Sequence, residues 1–124
     1  MDKGASERLK VQCDKNTVWK KAEEVTQLWV ECIDTNMIQP EQVKTFRKWL
    51  MGMLMVQHDE GKPIKLFKEL YNGDRQIEYT LLRRAMDFSG IPERCMSGKI
   101  KRITLYPNGS FKVEYAGQKR AVWK

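Results

Sequence analysis

The spacing of apolar residues changes once along this 124-residue chain, and that change constrains the fold more than any other feature. Up to about residue 88, apolar residues recur every three or four positions, which is the period of an amphipathic α-helix. From residue 99 onward they alternate with polar residues, which is the period of a half-buried strand. Helices followed by strands predict an α+β fold. We expect an N-terminal bundle of about four helices followed by a C-terminal antiparallel β-hairpin or three-stranded meander.

The first part of the chain predicts four helices with local start and stop signals. They cover residues 17–34, 40–58, 63–71 and 75–88. Pro40 suits the first turn of the second helix, because an amide hydrogen there would have no intrahelical partner. Gly90 is expected to end the fourth helix, since glycine adopts the left-handed conformation of a C-terminal cap without strain. Residues 1–15 are polar and predict a flexible N-terminus, and residues 16–124 predict a single domain.

The C-terminal part predicts three short antiparallel strands. They cover residues 99–106, 111–115 and 119–123. Asn108 and Gly109 separate the first two strands, and this pair favours a hairpin because it tolerates the positive φ that a tight turn needs. Phe111 and Val113 alternate with Lys112, so the apolar side chains are expected to face the core.

The distribution of apolar residues and cysteines indicates an intracellular protein. No apolar run reaches the roughly 18 residues that a membrane-spanning helix needs, and the polar N-terminus lacks the apolar segment of a secretory signal. The cysteines, Cys13, Cys32 and Cys95, are odd in number and widely spaced, unlike those of a small disulfide-linked secreted domain. These features predict a cytoplasmic or nuclear location in a reducing compartment, and no contact with a membrane.

Residue types that carry catalysis or bind metals are sparse and scattered. The single histidine, His58, is 26 residues from Cys32 and 37 residues from Cys95, so the close ligand pair typical of a zinc site is missing. No glycine-rich phosphate loop precedes a predicted helix. The sequence therefore predicts a protein that is not an enzyme and has no metal or cofactor.

Positive charge is concentrated in the last part of the chain. Residues 1–88 contain 15 Lys and Arg against 14 Asp and Glu, whereas residues 89–124 contain 8 against 2. A one-sided charge of this kind indicates a polyanionic partner or an acidic protein surface. Simple solubility is the alternative explanation.

These observations predict a non-catalytic protein that binds nucleic acid, DNA or RNA, through its basic C-terminal β-element and through cations on helix surfaces. Lysine and arginine neutralise phosphates and release counterions, which makes such binding salt-sensitive. Tyr106 or Trp123 could also stack on unpaired bases. The predicted nucleic-acid-binding residues are Lys44, Arg47, Lys48, Lys99, Lys101, Arg102, Tyr106, Lys112, Lys119 and Arg120.

A protein-interaction or self-assembly module whose basic end binds an acidic partner is the alternative. Met51, Met53 and Met55 lie close together on the second predicted helix, and flexible methionine-rich surfaces often receive a partner helix or a second subunit. At helical spacing such residues more often belong to a core. Trp19 and Trp49 belong to the apolar stripes of the first two helices and are predicted to face inward.

Overall fold

The computed structural model describes residues 8–67 and 81–124. In chain order its main helices and strands are α1 (Lys15–Val30), α2 (Pro40–His58), β1 (Ile64–Leu66), α3 (Leu81–Ser89), β2 (Ile100–Leu105), β3 (Phe111–Tyr115) and β4 (Val122–Trp123). Short 3₁₀ turns lie at Thr35–Met37 and Glu93–Cys95. The helices together with an antiparallel sheet form the α+β fold that the sequence predicts. Within the described ranges, the bundle contains three helices of two turns or more.

Helix α2 is the central element of the helical layer and has the bounds that the sequence predicts. Pro40 is its first residue, and the backbone amide of Gln39 donates to Oε1 of Gln42 at 2.7 Å. The buried face, which includes Phe46 and Leu50, packs between α1 and α3. Neither α2 nor any other helix in the described ranges has the length and hydrophobicity that crossing a bilayer requires.

Helix α1 begins two residues before its predicted start and ends four residues before its predicted end. Asp14 is the N-cap, because its carboxylate accepts a hydrogen bond from the backbone amide of Thr17 at 2.7 Å. That bond lowers the pKa of Asp14. The chain leaves the helix after Val30 because the following residues pair with another segment, and the amide of Ser97 donates to the carbonyl of Cys32 at 2.8 Å. A tertiary contact therefore decides where this helix ends.

The sheet has four strands in the order β1-β2-β3-β4, with every neighbouring pair antiparallel. The prediction of a helix at 63–71 is wrong for its first part, because Ile64–Leu66 forms β1 and pairs with β2. Ile64 and Leu66 are two positions apart and both are buried, so a strand places them on the core face. The remainder of that predicted helix, from residue 68, lies outside the described residues, as do 75–80 of the fourth predicted helix.

The N-terminal segment just before α1 is attached to the domain. The amide of Cys13 donates to the carbonyl of Pro107 at 2.9 Å, and Nε2 of Gln12 donates to the carbonyl of His58 at 2.7 Å. Residues 12–15, which the sequence assigns to a flexible segment at 1–15, thus contact the domain or begin α1, whereas residues 1–7 lie outside the described residues.

Two tryptophans that were predicted to face the core lie at the surface. Trp19 and Trp49 are both exposed, whereas Trp29 is buried completely. The buried face of α1 is centred on Val18, Ala22 and Trp29, so Trp19 falls at its margin. An apolar stripe wider than the contact area leaves some of its members in solvent, and only the packing of neighbouring elements decides which ones.

Candidate nucleic-acid interface

The alternation of side chains along the strands separates two faces of the sheet. The buried face includes Ile103, Leu105, Phe111 and Val113. The opposite face, which we call the outer face, contains one row of residues that crosses all four strands. This row consists of Lys65, Thr104, Lys112 and Trp123. Neighbours in such a row have Cβ atoms roughly 5 Å apart, so the outer face brings Lys65, from the middle of the chain, into one row with residues from its last part.

Two aromatic rings and a lysine meet on the outer face, and we call Tyr106, Lys112 and Trp123 the aromatic–lysine cluster. The Tyr106 and Trp123 rings are stacked, with centroids 5.5 Å apart and planes inclined by 22°. Nζ of Lys112 lies 6.0 Å from the Tyr106 centroid and 5.9 Å from the Trp123 centroid. Trp123 is 52% exposed. The cluster therefore presents a π-face and a cation side by side, a combination that suits a base and its phosphate.

Arg102, which the sequence places in the binding set, is engaged within the sheet. Its Nε and Nη2 donate to the two carboxylate oxygens of Glu114 at 2.5 and 2.9 Å. These hydrogen bonds raise the pKa of Arg102 and lower the pKa of Glu114. Both residues lie across from each other in the β2–β3 register. The pair neutralises a cation that would otherwise be available to a phosphate.

Four of the predicted binding residues lie at the end of the sheet where β2 begins and β3 ends, and we call them the cationic end. They are Lys99, Lys101, Lys119 and Arg120. The amide of Ala116 donates to the carbonyl of Lys99 at 3.0 Å, which brings the start of β2 beside the turn that joins β3 to β4. All four side chains are exposed, and none forms an ion pair with a carboxylate of the described residues.

The cationic end and the aromatic–lysine cluster lie at opposite ends of the same strands. Lys101 lies near the start of β2 and Tyr106 directly follows its last residue, five positions later, which corresponds to roughly 17 Å of extended chain. The two groups of side chains are therefore separated along the strand direction.

The cations predicted on helix α2 form a separate set. Lys44 and Lys48 are exposed. Arg47 is half-buried, and its Nη2 donates to Oε1 of Gln27 at 2.5 Å. Arg47 lines a surface groove of ≈ 650 Å³ between α1, α2 and the sheet, and Glu23 from α1 also lines it. Because the groove carries both signs of charge, it does not extend the positive surface of the sheet.

Cys13 and His58 lie close together, so they are the pair to consider for nucleophilic catalysis. Sγ of Cys13 is 3.8 Å from Nε2 of His58. That same Nε2 is 3.0 Å from the carbonyl oxygen of Pro107, which can only accept, so Nε2 carries the proton of this hydrogen bond. A protonated nitrogen cannot take the thiol proton. Burial raises the pKa of the Cys13 thiol, which disfavours the thiolate. The arrangement is that of a structural anchor.

We expect the Cys13 thiol to react slowly with iodoacetamide near neutral pH. Because burial raises the pKa of this thiol, the reactive thiolate is scarce at pH 7 and accumulates at a higher pH than in a solvent-exposed cysteine. Peptide mapping by mass spectrometry after timed alkylation measures the rate at each pH. The same residue in urea-unfolded protein is the control, and its rate midpoint should lie at lower pH. A native midpoint below the unfolded one would indicate an activated cysteine.

Sequence reasoning left two residues of the outer face out of the predicted binding set. Lys65 was assigned to a helix, and Trp123 was considered only as an optional stacking residue. In the structure, β1 pairs with one side of the β2–β3 hairpin and β4 pairs with the other side. This pairing places Lys65 and Trp123 in the same row as Lys112. The sequence signal for Lys65 was its position between the apolar residues Ile64 and Leu66, an alternation that is typical of a strand with Lys65 on its outer face.

No protein-family model, no curated protein and no solved structure matches this chain. Within residues 8–67 and 81–124, no group of three or more His, Cys, Asp or Glu side chains could hold a metal ion. The function of the protein is therefore inferred from the charge and the exposed side chains of its own surface.

Proposed function

We propose that this protein binds nucleic acid without catalysing a reaction on it, and that it prefers single strands. The observation that supports this most directly is the stack of exposed Trp123 on half-buried Tyr106, with Lys112 beside both rings. Unpaired bases stack on such rings, whereas the bases of a duplex are already stacked on each other. The cationic end contributes the phosphate contacts, since its four side chains are exposed and form no ion pair with a carboxylate of the described chain.

The charge distribution supports the same assignment. Both carboxylates of residues 89–124 are engaged, Glu93 with Arg83 and Glu114 with Arg102. The remaining cations of residues 89–124 therefore have no unpaired Asp or Glu within this segment to neutralise them. An acidic protein surface could neutralise the same cations and could also pack on the aromatic rings. Nucleic acid is favoured as the partner because a single strand provides both phosphates for the cations and bases that stack on the rings.

Changing the four residues of the cationic end to glutamine tests the proposal through its salt dependence. For a single strand, log K falls with log[salt] with a slope of about −0.7 for each phosphate neutralised. Loss of four contacts should therefore make the slope less steep by up to about 2.8. Fluorescence anisotropy with a labelled single-stranded oligonucleotide, measured at several salt concentrations, gives both slopes.

A matched variant controls for the change in net charge. Lys10, Lys15, Lys20 and Lys62 are also exposed lysines, and changing them to glutamine removes the same four charges from other surfaces. We expect this variant to keep the salt slope of the unmodified protein to within about one phosphate contact. Equal slopes for the two variants, or no binding of single strands at low salt by the unmodified protein, would contradict the proposal. Circular dichroism confirms that both variants are folded.

A further inference from the structure

Helix α2 has an apolar stripe on the side that faces away from the core. The stripe consists of Trp49, Gly52 and Val56, which follow each other at the spacing of one helix face. Trp49 is 44% exposed and Val56 is 66% exposed. Phe88 of α3, which is 58% exposed, stacks on Trp49 with ring centroids 4.6 Å apart. Trp49 and Val56 thus lie about one turn to either side of a position that has no side chain, and Phe88 extends the apolar surface through its stack with Trp49.

Gly52 is not explained by packing within the described chain. Glycine in the interior of a helix is less favourable than any residue except proline. A Cβ atom added at Gly52 would meet nothing within 4 Å, so the fold itself leaves room for a side chain. The φ angle at Gly52 is not positive, and so the backbone gives no reason for glycine either. A glycine at an exposed helix face does, however, permit the close approach of another backbone.

We propose that a second copy of this chain covers the stripe, with the two α2 helices antiparallel and crossing at Gly52. Charge complementarity identifies the occupant. At 3.6 residues per turn, Lys48 and Asp59 lie on the same side of Gly52, one towards each end of the helix. Both are exposed, and neither forms an ion pair with another described residue.

A two-fold axis at Gly52 places Lys48 of one copy across from Asp59 of the second copy, and the reverse contact occurs at the other end. Such an interface is isologous, because the same patch serves both copies. A parallel arrangement would instead bring Lys48 against Lys48. The antiparallel pair also sets opposite helix dipoles side by side, and Trp49 of each copy packs beside Gly52 and Val56 of the other. This interface is independent of the nucleic-acid surface on the sheet.

Sedimentation equilibrium of the full chain without nucleic acid, at about 1 µM to 1 mM protein, tests the proposal. We expect a monomer–dimer equilibrium in which Gly52→Gln weakens the dimer at least tenfold, because its side chain fills the crossing point. In the monomer the same substitution should raise Tm by about 2–4 °C, since glutamine favours the helix more than glycine does. Loss of the dimer together with a more stable monomer separates an interface effect from a folding defect.

Exchanging the charges of Lys48 and Asp59 gives a second measurement of the dimer affinity. Lys48→Glu and Asp59→Lys should each weaken the dimer about tenfold, because each brings like charges together at both ends of the interface. The double variant K48E/D59K should restore most of the original affinity, since each pair is again of opposite sign. Lys62→Glu, an exposed lysine beyond the helix, is the control and should leave the dimer unchanged. A monomer at every concentration, or a dimer that Gly52→Gln leaves intact, overturns the proposal.

Discussion

Replacing Tyr106 and Trp123 together with alanine should lower the affinity for a single-stranded oligonucleotide about 30-fold or more. Each base stacked on an aromatic side chain contributes roughly 1–3 kcal/mol, and about 1.4 kcal/mol corresponds to a tenfold change in affinity. The two rings are stacked on each other on the outer face, and Trp123 is exposed. Fluorescence anisotropy with matched single-stranded and double-stranded oligonucleotides measures the effect.

The same double variant should leave the salt slope unchanged, because neither substitution removes a cation. Duplex binding should fall much less than single-strand binding, since paired bases have no free face for the rings. Trp19→Ala is the matched control, because Trp19 is exposed to a similar degree and lies on helix α1. An equal loss of affinity for single and double strands would show that the rings act only by supporting the sheet.

Replacing His58 with alanine should lower the free energy of unfolding by about 2–4 kcal/mol. The imidazole is buried, and its Nε2 donates to the carbonyl of Pro107 in the turn between β2 and β3. The variant loses one hydrogen bond, with a net contribution of about 1 kcal/mol. It also leaves a cavity where a large side chain was packed, which is typically destabilising by a few kcal/mol. The Pro107 carbonyl keeps its bond from the amide of Cys13, so it is not left unsatisfied.

Urea denaturation of the His58 variants measures this loss as a shift of the midpoint at constant slope. His58→Gln should recover part of the stability, because its amide can still donate to the carbonyl. Lys62→Ala changes an exposed residue just past α2 and should stay within about 0.5 kcal/mol of the unmodified protein. A loss below about 1 kcal/mol for His58→Ala would mean that the turn is held by backbone contacts alone.

Signals from residues close together in the chain were sufficient to predict the position of several structural elements. Helix α2 has its predicted bounds because Pro40 and the capping interaction of Gln39 with Gln42 act within one turn. The hairpin between β2 and β3 is also where the sequence predicts it, and Gly109 has the positive φ, 91°, that the turn requires. These features depend on residues close together in the chain, so a single sequence contains the information.

The composition of the candidate site was only partly predictable. The charge excess after residue 88 and the presence of Tyr106 and Lys112 on the two sides of the hairpin turn are visible in the sequence. The engagement of Arg102 by Glu114 and the stacking of Trp123 on Tyr106 depend on which strand residues face each other. Register is a property of paired strands, and a shift by one residue moves every side chain to the other face.

The bounds of helix α2, the hairpin turn and the concentration of cations near the C-terminus were determined by the sequence alone, because each arises from neighbours in the chain. The tertiary structure decided that Ile64–Leu66 is a strand, that Trp19 and Trp49 lie in solvent, and that Arg102 is neutralised. Each of those outcomes depends on a partner many residues away. A short apolar segment is compatible with helix or strand until the free energy of a distant contact selects one of them.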